Sequence, residues 1–555
     1  MQKIISISTK KSERDSDSEG SDIPSEYEEH DGDCSTDLEE ILTQAENGWI
    51  GYNEFTSTSI PPSAPDFKGN AGVKVDLTKL KEPIEFFDLF LGDKFLEDVC
   101  NYTHTYYKVK AEKGKKRRDS HQRKWNKPDL IEMRAFLGAL LYTGILKKPN
   151  YRDYWAESIL FSTPGFTKIF SRDHFLDLKR NLHFVDEKYA NPSDPLYKIR
   201  PLIDKVIQSS QKLYSPKQFL TIDECMIRFS GRSQFKVYMP LKPIKYGFKA
   251  YLLTEATSGY VLQWKLHEAA KSTQKKLSPL KQIIYSLIEN YQELGHVLCM
   301  DRFYTTLAIA KDLPEKGFGC IGAIMANRLS LTSEMKKELE TLAMHESLFY
   351  IYKSSLVLSC WKDSKIVQVI STYGQDYYSS ISRNAKDKEG KHTKKEVNCP
   401  LNIQTYTKYA RGVDYFDQMI SYYEIKHKSR KWYTRLVLHF LQLAAHNSFI
   451  LFSKMTDTKK DYLEYLKDII KSLVYKMRQR NLAIETPVGK RKNESIEPTL
   501  DESDCKLGYG TKRKCQICLL KGQDKKMSYQ CFKHSLPVCV LHCYDVHRNN
   551  VDLCF

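Results

Sequence analysis

Between Gln218 and about Ile324 the apolar pattern is that of strands, while the segments on either side follow a helical period. Phe219-Leu220-Thr221-Ile222 is β-prone. Lys249–Thr254 and Gly259–Trp264 flank a Thr257-Ser258-Gly259 turn and predict a hairpin. His296–Met300 predicts a further strand that ends at Asp301 and passes into a helical stretch, Thr305–Leu313. Upstream, helices are expected from Pro83, after Lys127-Pro128-Asp129, and from Ser171. Downstream, Leu436–Phe452 is apolar but carries His439, Gln442, His446 and Asn447, which predicts a buried helix and not a membrane span. The fold class that follows is mixed α/β.

Three acidic islands fall on this frame: Thr221-Ile222-Asp223-Glu224, Met300-Asp301-Arg302-Phe303-Tyr304 and Gly412-Val413-Asp414-Tyr415-Phe416-Asp417. Asp223 and Asp301 stand at short apolar runs, as carboxylates on buried strands do. Asp414 and Asp417 are spaced to project from one side of a helix. Three carboxylates from distant segments can hold two magnesium-type ions around a scissile phosphate.

The charge suits such a substrate. The chain of 555 residues carries a net +17, yet residues 1–50 hold four Lys/Arg and fourteen Asp/Glu, a net of −10, which leaves +27 on the rest. A basic body favours a polyanion. The basic run Lys113–Arg118 reads as a nuclear localisation signal or a phosphate-binding loop. Residues 1–80 are expected to be a disordered acidic tail. Residues 1–12 have no apolar core of a secretory signal, so a reducing compartment is expected.

Seven of the fourteen cysteines crowd between Cys505 and Cys554. Cys515/Cys518, Cys531/His534, Cys539/His542 and His547/Cys554 form four ligand pairs, and interleaving them gives two tetrahedral zinc ions in a cross-brace. Cys543 competes with His542 for one position. A cross-brace also occurs in RING and PHD modules, which bind proteins. Residues 486–512 read as a linker and 513–555 as the zinc module.

The segment Gly231-Arg232-Ser233-Gln234-Phe235-Lys236-Val237-Tyr238-Met239-Pro240-Leu241-Lys242-Pro243-Ile244-Lys245-Tyr246-Gly247-Phe248-Lys249 closely resembles the block that follows the first catalytic aspartate of piggyBac-type transposases. Asp301-Arg302-Phe303-Tyr304-Thr305 and Gly412–Met419 resemble the second and third aspartate blocks. Ser171–Phe175, Lys431-Trp432 and His446–Phe449 resemble the helical regions. The resemblance implies that Asp223, Asp301 and Asp414 hold two Mg2+ (or Mn2+) ions in an RNase H-like domain, with Asp417 close by. It implies catalytic parts over 218–326 and 401–422, an insertion over 327–400, and a split helical dimerisation and DNA-binding domain over 82–217 and 423–485. It further implies a nuclear homodimer that cuts and pastes at terminal inverted repeats of double-stranded DNA through hairpin ends, with TTAA as target. The zinc module would read the repeats. Lys242, Lys245, Tyr246, Lys426, Lys428, Arg430, Lys431, Trp432 and Arg435 are the candidate DNA contacts. One departure is Arg302, where the family commonly has Asn. It could clamp a phosphate or compete with the metals. A domesticated descendant that binds DNA without cutting is the alternative.

Overall fold

The computed structural model describes residues 48–51, 65–113, 125–268 apart from 159, 187 and 189, 278–373 apart from 354, 378–386, 392–485 apart from 427 and 428, 507–515, 526–531 and 536–537. The chain divides into two compact units, Met1–Glu485 and Thr486–Phe555.

The strands are β1 (Trp49–Gly51), β2 (Gly72–Val73), β3 (Tyr214–Ser215), β4 (Phe219–Arg228), β5 (Lys236–Tyr238), β6 (Tyr246–Glu255), β7 (Val261–Leu266), β8 (Val297–Met300), β9 (Gly319–Ala323), β10 (Ser347–Tyr352), β11 (Leu356–Lys362), β12 (Ile366–Ser371), β13 (Tyr378–Lys386), β14 (His392–Pro400), β15 (Leu507–Lys514), β16 (Lys526–Cys531) and β17 (Leu536–Pro537). Ten of them form one mixed sheet in the order β1-β10-β11-β12-β9-β8-β4-β6, with β5 and β7 both pairing with β6. β4, β8 and β9 are parallel neighbours, and every other pairing in this sheet is antiparallel. The expected mixed α/β class and the hairpin across Thr257–Gly259 are both present.

The centre of the sheet is buried on both faces. Leu220, Ile222, Leu298 and Met300 pack into the main core, while Val297, Cys299, Ile321 and Val369 pack into a second cluster with Ile403. Continuous apolar runs are what two covered faces require. On the main-core side the helix Trp432–Met455 is buried along most of its length, against the helices Pro83–Leu91 and Arg200–Leu213. It is long and apolar enough to cross a membrane, but its polar residues are used inside the fold. Asn447 bonds both Val261 backbone groups (3.0 and 2.8 Å) and Ser210 (2.9 Å), and His446 Nε2 meets Gly259 O at 3.0 Å. These bonds tie the helix to β7 and its turn.

One expectation needs correction. Residues 48–51 and 65–80 were expected within the disordered tail. They are instead part of the fold, because Trp49 is buried with Nε1 donating to Leu329 O (2.7 Å), and β1 adds to β10. Lys68 N donates to Leu294 O, and Phe67 packs on His296. Within 327–400, the expected insertion, β10–β12 add to the central sheet through β9, and among the described residues β13 and β14 pair with each other.

Burial holds three histidines neutral. Desolvation chiefly lowers the pKa of His183 to about 4, His439 to about 3 and His446 to about 4. The unfolded chain therefore takes up these protons first as pH falls, and stability is lost from about pH 6.5 downward, at about 1.4 kcal/mol per pH unit for each histidine. His439→Phe is expected to flatten this loss by one histidine's share, read as the melting temperature across about pH 6.5 to 4.5.

Candidate active site

β4 and β8 run parallel with Ile222 beside Met300. Asp223 is the next residue on β4 and Asp301 is the first residue past the end of β8, so the register brings the two aspartates next to each other. β8 ends at Met300, and the turn that follows is held by Arg328, which is buried and donates to the carbonyls of Arg302 (3.1 Å), Phe303 (2.9 Å) and Thr305 (3.1 Å). Arg302 N donates to Asp301 Oδ1 (2.6 Å), and the Tyr406 hydroxyl hydrogen-bonds Asp301. The Arg302 side chain itself is exposed.

The helix Gly412–Tyr422 lies across β4 and β6. A Cβ at Gly412 would meet Thr254 Oγ1 at 2.5 Å and Thr221 Oγ1 at 2.8 Å, so only glycine lets the helix start this close. Asp417, further along, hydrogen-bonds the Cys225 thiol. Thr221, Asp223 and Cys225 share one face of β4, so the helix begins beside Thr221 and reaches Cys225, passing Asp223. Asp414 is in its first turn and is exposed. The pair Asp223/Asp301 is thus brought together by register and Asp417 is set against the same strand. Among the described residues, however, no three His, Cys, Asp or Glu side chains stand close enough to hold one metal ion, so Asp414 does not join the pair in a single group.

Glu224 is the residue that sequence reasoning left without a role. It accepts from Tyr304 Oη (2.7 Å) and pairs with Lys242 (2.9 Å). Those bonds and the one from Asp223, with Lys242 and Lys249 nearby, hold its pKa down against its own burial. Burial first, and then the charge of Glu224, pushes Asp223 up. Asp417 is pushed up to about 7, by burial and next by Asp414. A pKa raised in this way marks carboxylates that lack enough positive charge. An all-oxygen donor set of this kind fits a hard divalent cation.

The candidate DNA contacts divide. Lys245, Lys426 and Arg430 are exposed; Lys426 pairs with Glu424 (3.6 Å). Tyr246 is exposed and stacks on Tyr238 (4.6 Å). Lys242 is engaged with Glu224. Trp432 packs against Phe235 (5.2 Å). Arg435 is a correction: it is buried, donating to Arg228 O (2.9 Å) and Ile425 O and pairing with Glu424 (2.9 Å), because its helical position turns inward. Lys431 donates to Arg180 O (2.8 Å) and is lowered to about 8 by burial and then by Lys110, Lys179, Lys198 and Arg180. Lys428 lies outside the described residues, as do Cys518, His534, Cys539, His542, Cys543, His547 and Cys554. Cys515 is buried and Cys531 ends β16.

The raised pKa of Asp223 has a measurable consequence. Asp223 protonates more readily folded than unfolded, so stability in metal-free buffer is lost as pH rises through its folded-state pKa. Asp223→Asn is expected to melt higher than wild type at neutral pH without metal, by about 1–2 kcal/mol. Added Mn2+ should raise the melting temperature of wild type and not that of the variant.

A family model described as Transposase IS4 matches residues 82–449. The human PiggyBac transposable element-derived protein 3 is 24% identical over 406 residues, spanning 71% of this chain and 65% of that protein. The human PiggyBac transposable element-derived protein 2 is 23% identical over 404 residues, with 70% and 65% covered. The chain thus spans just under two thirds of the length of these relatives. A cryo-EM structure of a piggyBac transposase synaptic complex with hairpin DNA has the same fold, with a TM-score of 0.65 and 20% identity, covering 85% of this chain and 100% of that one. With the carboxylate strands, the sheet and the matched segment in agreement, this chain belongs to the Transposase IS4 family, on its piggyBac-type side.

Proposed function

We propose that this chain is a cut-and-paste DNA transposase that cleaves and joins strands at Asp223, Asp301 and Asp414, with Asp417 in support. The observation that carries the reading is the parallel register of β4 and β8, which pairs Ile222 with Met300 and so brings Asp301, just past the end of β8, close to Asp223. The path β7-β6-β4-β8-β9, antiparallel on one side of β4 and parallel on the other, supports an RNase H-like catalytic core. The solved relative's hairpin DNA supports hairpin ends as the substrate form. Terminal inverted repeats, a TTAA target and a homodimer pairing two ends belong to the same proposal.

Two Mg2+ ions, when bound, would supply an activated nucleophile and stabilise the leaving 3′-oxygen. The chain's own groups do the rest. Asp223 and Asp301 would hold the ions from adjacent strands, and Asp414 from the helix beside them. The Arg328 contacts fix the turn that carries Asp301. Glu224 keeps Lys242 close to the reacting phosphate's expected position. The cations Lys110, Lys179, Arg180, Lys198 and Lys431 crowd together from separate segments, and Lys198 and Lys431 lie over aromatic rings. Such crowding is costly without an anion and supports a path for the DNA backbone.

A second reading, DNA binding without cutting, is favoured by the absence of three clustered donors among the described residues. Excision from a donor plasmid by wild type and by Asp301→Ala separates the two. Loss of product only in the variant is expected; equal background from both would leave the binding-only reading.

The second unit supports two zinc sites. In the β15–β16 ladder Lys514 pairs with Lys526 and Leu507 with Cys531. Cys515 therefore follows one end of the ladder while Cys531 stands at the other, about 20 Å away. Two cysteines so placed belong to different ions, as a cross-brace requires. Cys515→Ser and Cys531→Ser are each expected to lower zinc from two to one per chain, measured by mass spectrometry of the native protein.

A further inference from the structure

The β5–β6 hairpin ends in a turn with an unusual tip. Tyr238 pairs with Tyr246, Met239 N donates to Lys245 O (2.8 Å) and Lys242 N to Met239 O (3.2 Å), so the turn is ordered. Pro240 and Pro243 bracket Leu241 and Lys242 and restrict the backbone further. Leu241 is 97% exposed. A single exposed leucine on a surface needs no explanation. This one, however, stands on a stiffened turn whose next residue, Lys242, is fastened to Glu224, the neighbour of Asp223. Lys236 lies over the Tyr246 ring (5.8 Å), and Tyr238 and Tyr246 are stacked with 39% and 52% of their surfaces free. Phe303, two residues after Asp301, is 42% exposed with the Lys249 ammonium over its ring (4.8 Å).

We propose that this hairpin is a base-stack wedge: Leu241 enters the DNA stack beside the phosphate held at Asp223 and Asp301, and Tyr238 and Tyr246 receive the displaced base. The proposal rests on the DNA-processing reading of that site. Apolar side chains inserted at a base step unstack it, and an unstacked step is what a strand end needs in order to turn back on itself or be attacked at close range. Lys236, Lys242 and Lys245 around one leucine match a polyanion. A protein partner would call for a broader apolar patch and fewer cations. Exposed stacked tyrosines suit base faces.

The test uses the full chain and a synthetic duplex with a central TTAA in which 2-aminopurine replaces an adenine. With Ca2+ present, wild type is expected to raise the fluorescence on binding. Leu241→Ser, which removes a side chain that packs on nothing, should bind within about twofold of wild type yet give no rise, and with Mg2+ should cut at least about tenfold more slowly. Leu241→Met should behave as wild type, and a duplex mismatched at that step should restore cutting by Leu241→Ser. Unchanged fluorescence and rate in Leu241→Ser would overturn the wedge, as would a slow rate that the mismatch does not rescue or a change in oligomeric state without a fluorescence effect. If wild type cuts and Asp301→Ala does not, those results leave the site reading intact. If wild type neither binds nor cuts, the site reading fails and the wedge with it.

Discussion

The pairing of β4 with β8 is the contact on which the remaining structure depends. It brings the first acidic island to the second, where the Tyr304 hydroxyl also donates to Glu224, and it is parallel, so a long excursion of chain must return in register. The register is enforced from both faces. Leu220, Ile222, Leu298 and Met300 fill one core, and Val297 and Cys299 fill the other. A slip of one residue would exchange the faces of a fully buried strand. Gln218 adds a polar check at the entry, donating to Gly295 O (3.3 Å) and Pro65 O (2.9 Å), while His296 meets Gln218 O. The segment that begins at Pro65 is therefore part of the device that aligns the two aspartates.

Around that pair the protein concentrates like charge and withholds compensation. Glu224 takes Lys242 and Tyr304 as direct partners, leaving Asp223 half-buried beside a carboxylate. Asp417 has a thiol for its nearest partner. Cores do not tolerate this for stability alone, since a buried carboxylate without a cation costs several kcal/mol. The surrounding scaffold offsets it: Arg328 is satisfied by three carbonyls, and Asn447, Ser210 and Val261 form a closed buried network.

Much of this was legible in the residues. Apolar runs ending at Asp223 and Asp301 marked the strands, and Gly259 marked the turn, because periodicity and turn chemistry are local signals. The pairing of β4 with β8 is not local, and only the resemblance to a family joined the islands. Leu356–Cys360 and Ile366–Ile370 read as strands and are β11 and β12, but their joining of the central sheet through β9 was hidden because strand pairing is not a local signal. Trp49 was lost in an acidic composition, since a three-residue strand has no period to read. Arg435 was grouped with surface cations because charge in a sequence does not say which way a helix turns. Glu224 was visible as a residue, but its hold on Lys242, 18 positions later, depends on the β5–β6 hairpin folding back onto β4.

The sheet also divides labour between its middle and its margins. β8 and β4 lie inside it, where neighbours on both sides and packing on both faces fix a carboxylate most firmly. Its margins are formed by β1, of three residues, at one end and by β5, of three, beside β7, of six, at the other. Short edges present few free backbone groups and so resist pairing with other chains. At the β5 margin the hairpin can protrude without weakening the centre, since β6 continues past it to pair with β7. A chain that must hold reacting groups rigidly while reaching around a long polyanion gains from this separation: rigidity comes from the buried parallel strands, and reach comes from a stiff turn anchored to them through one ion pair.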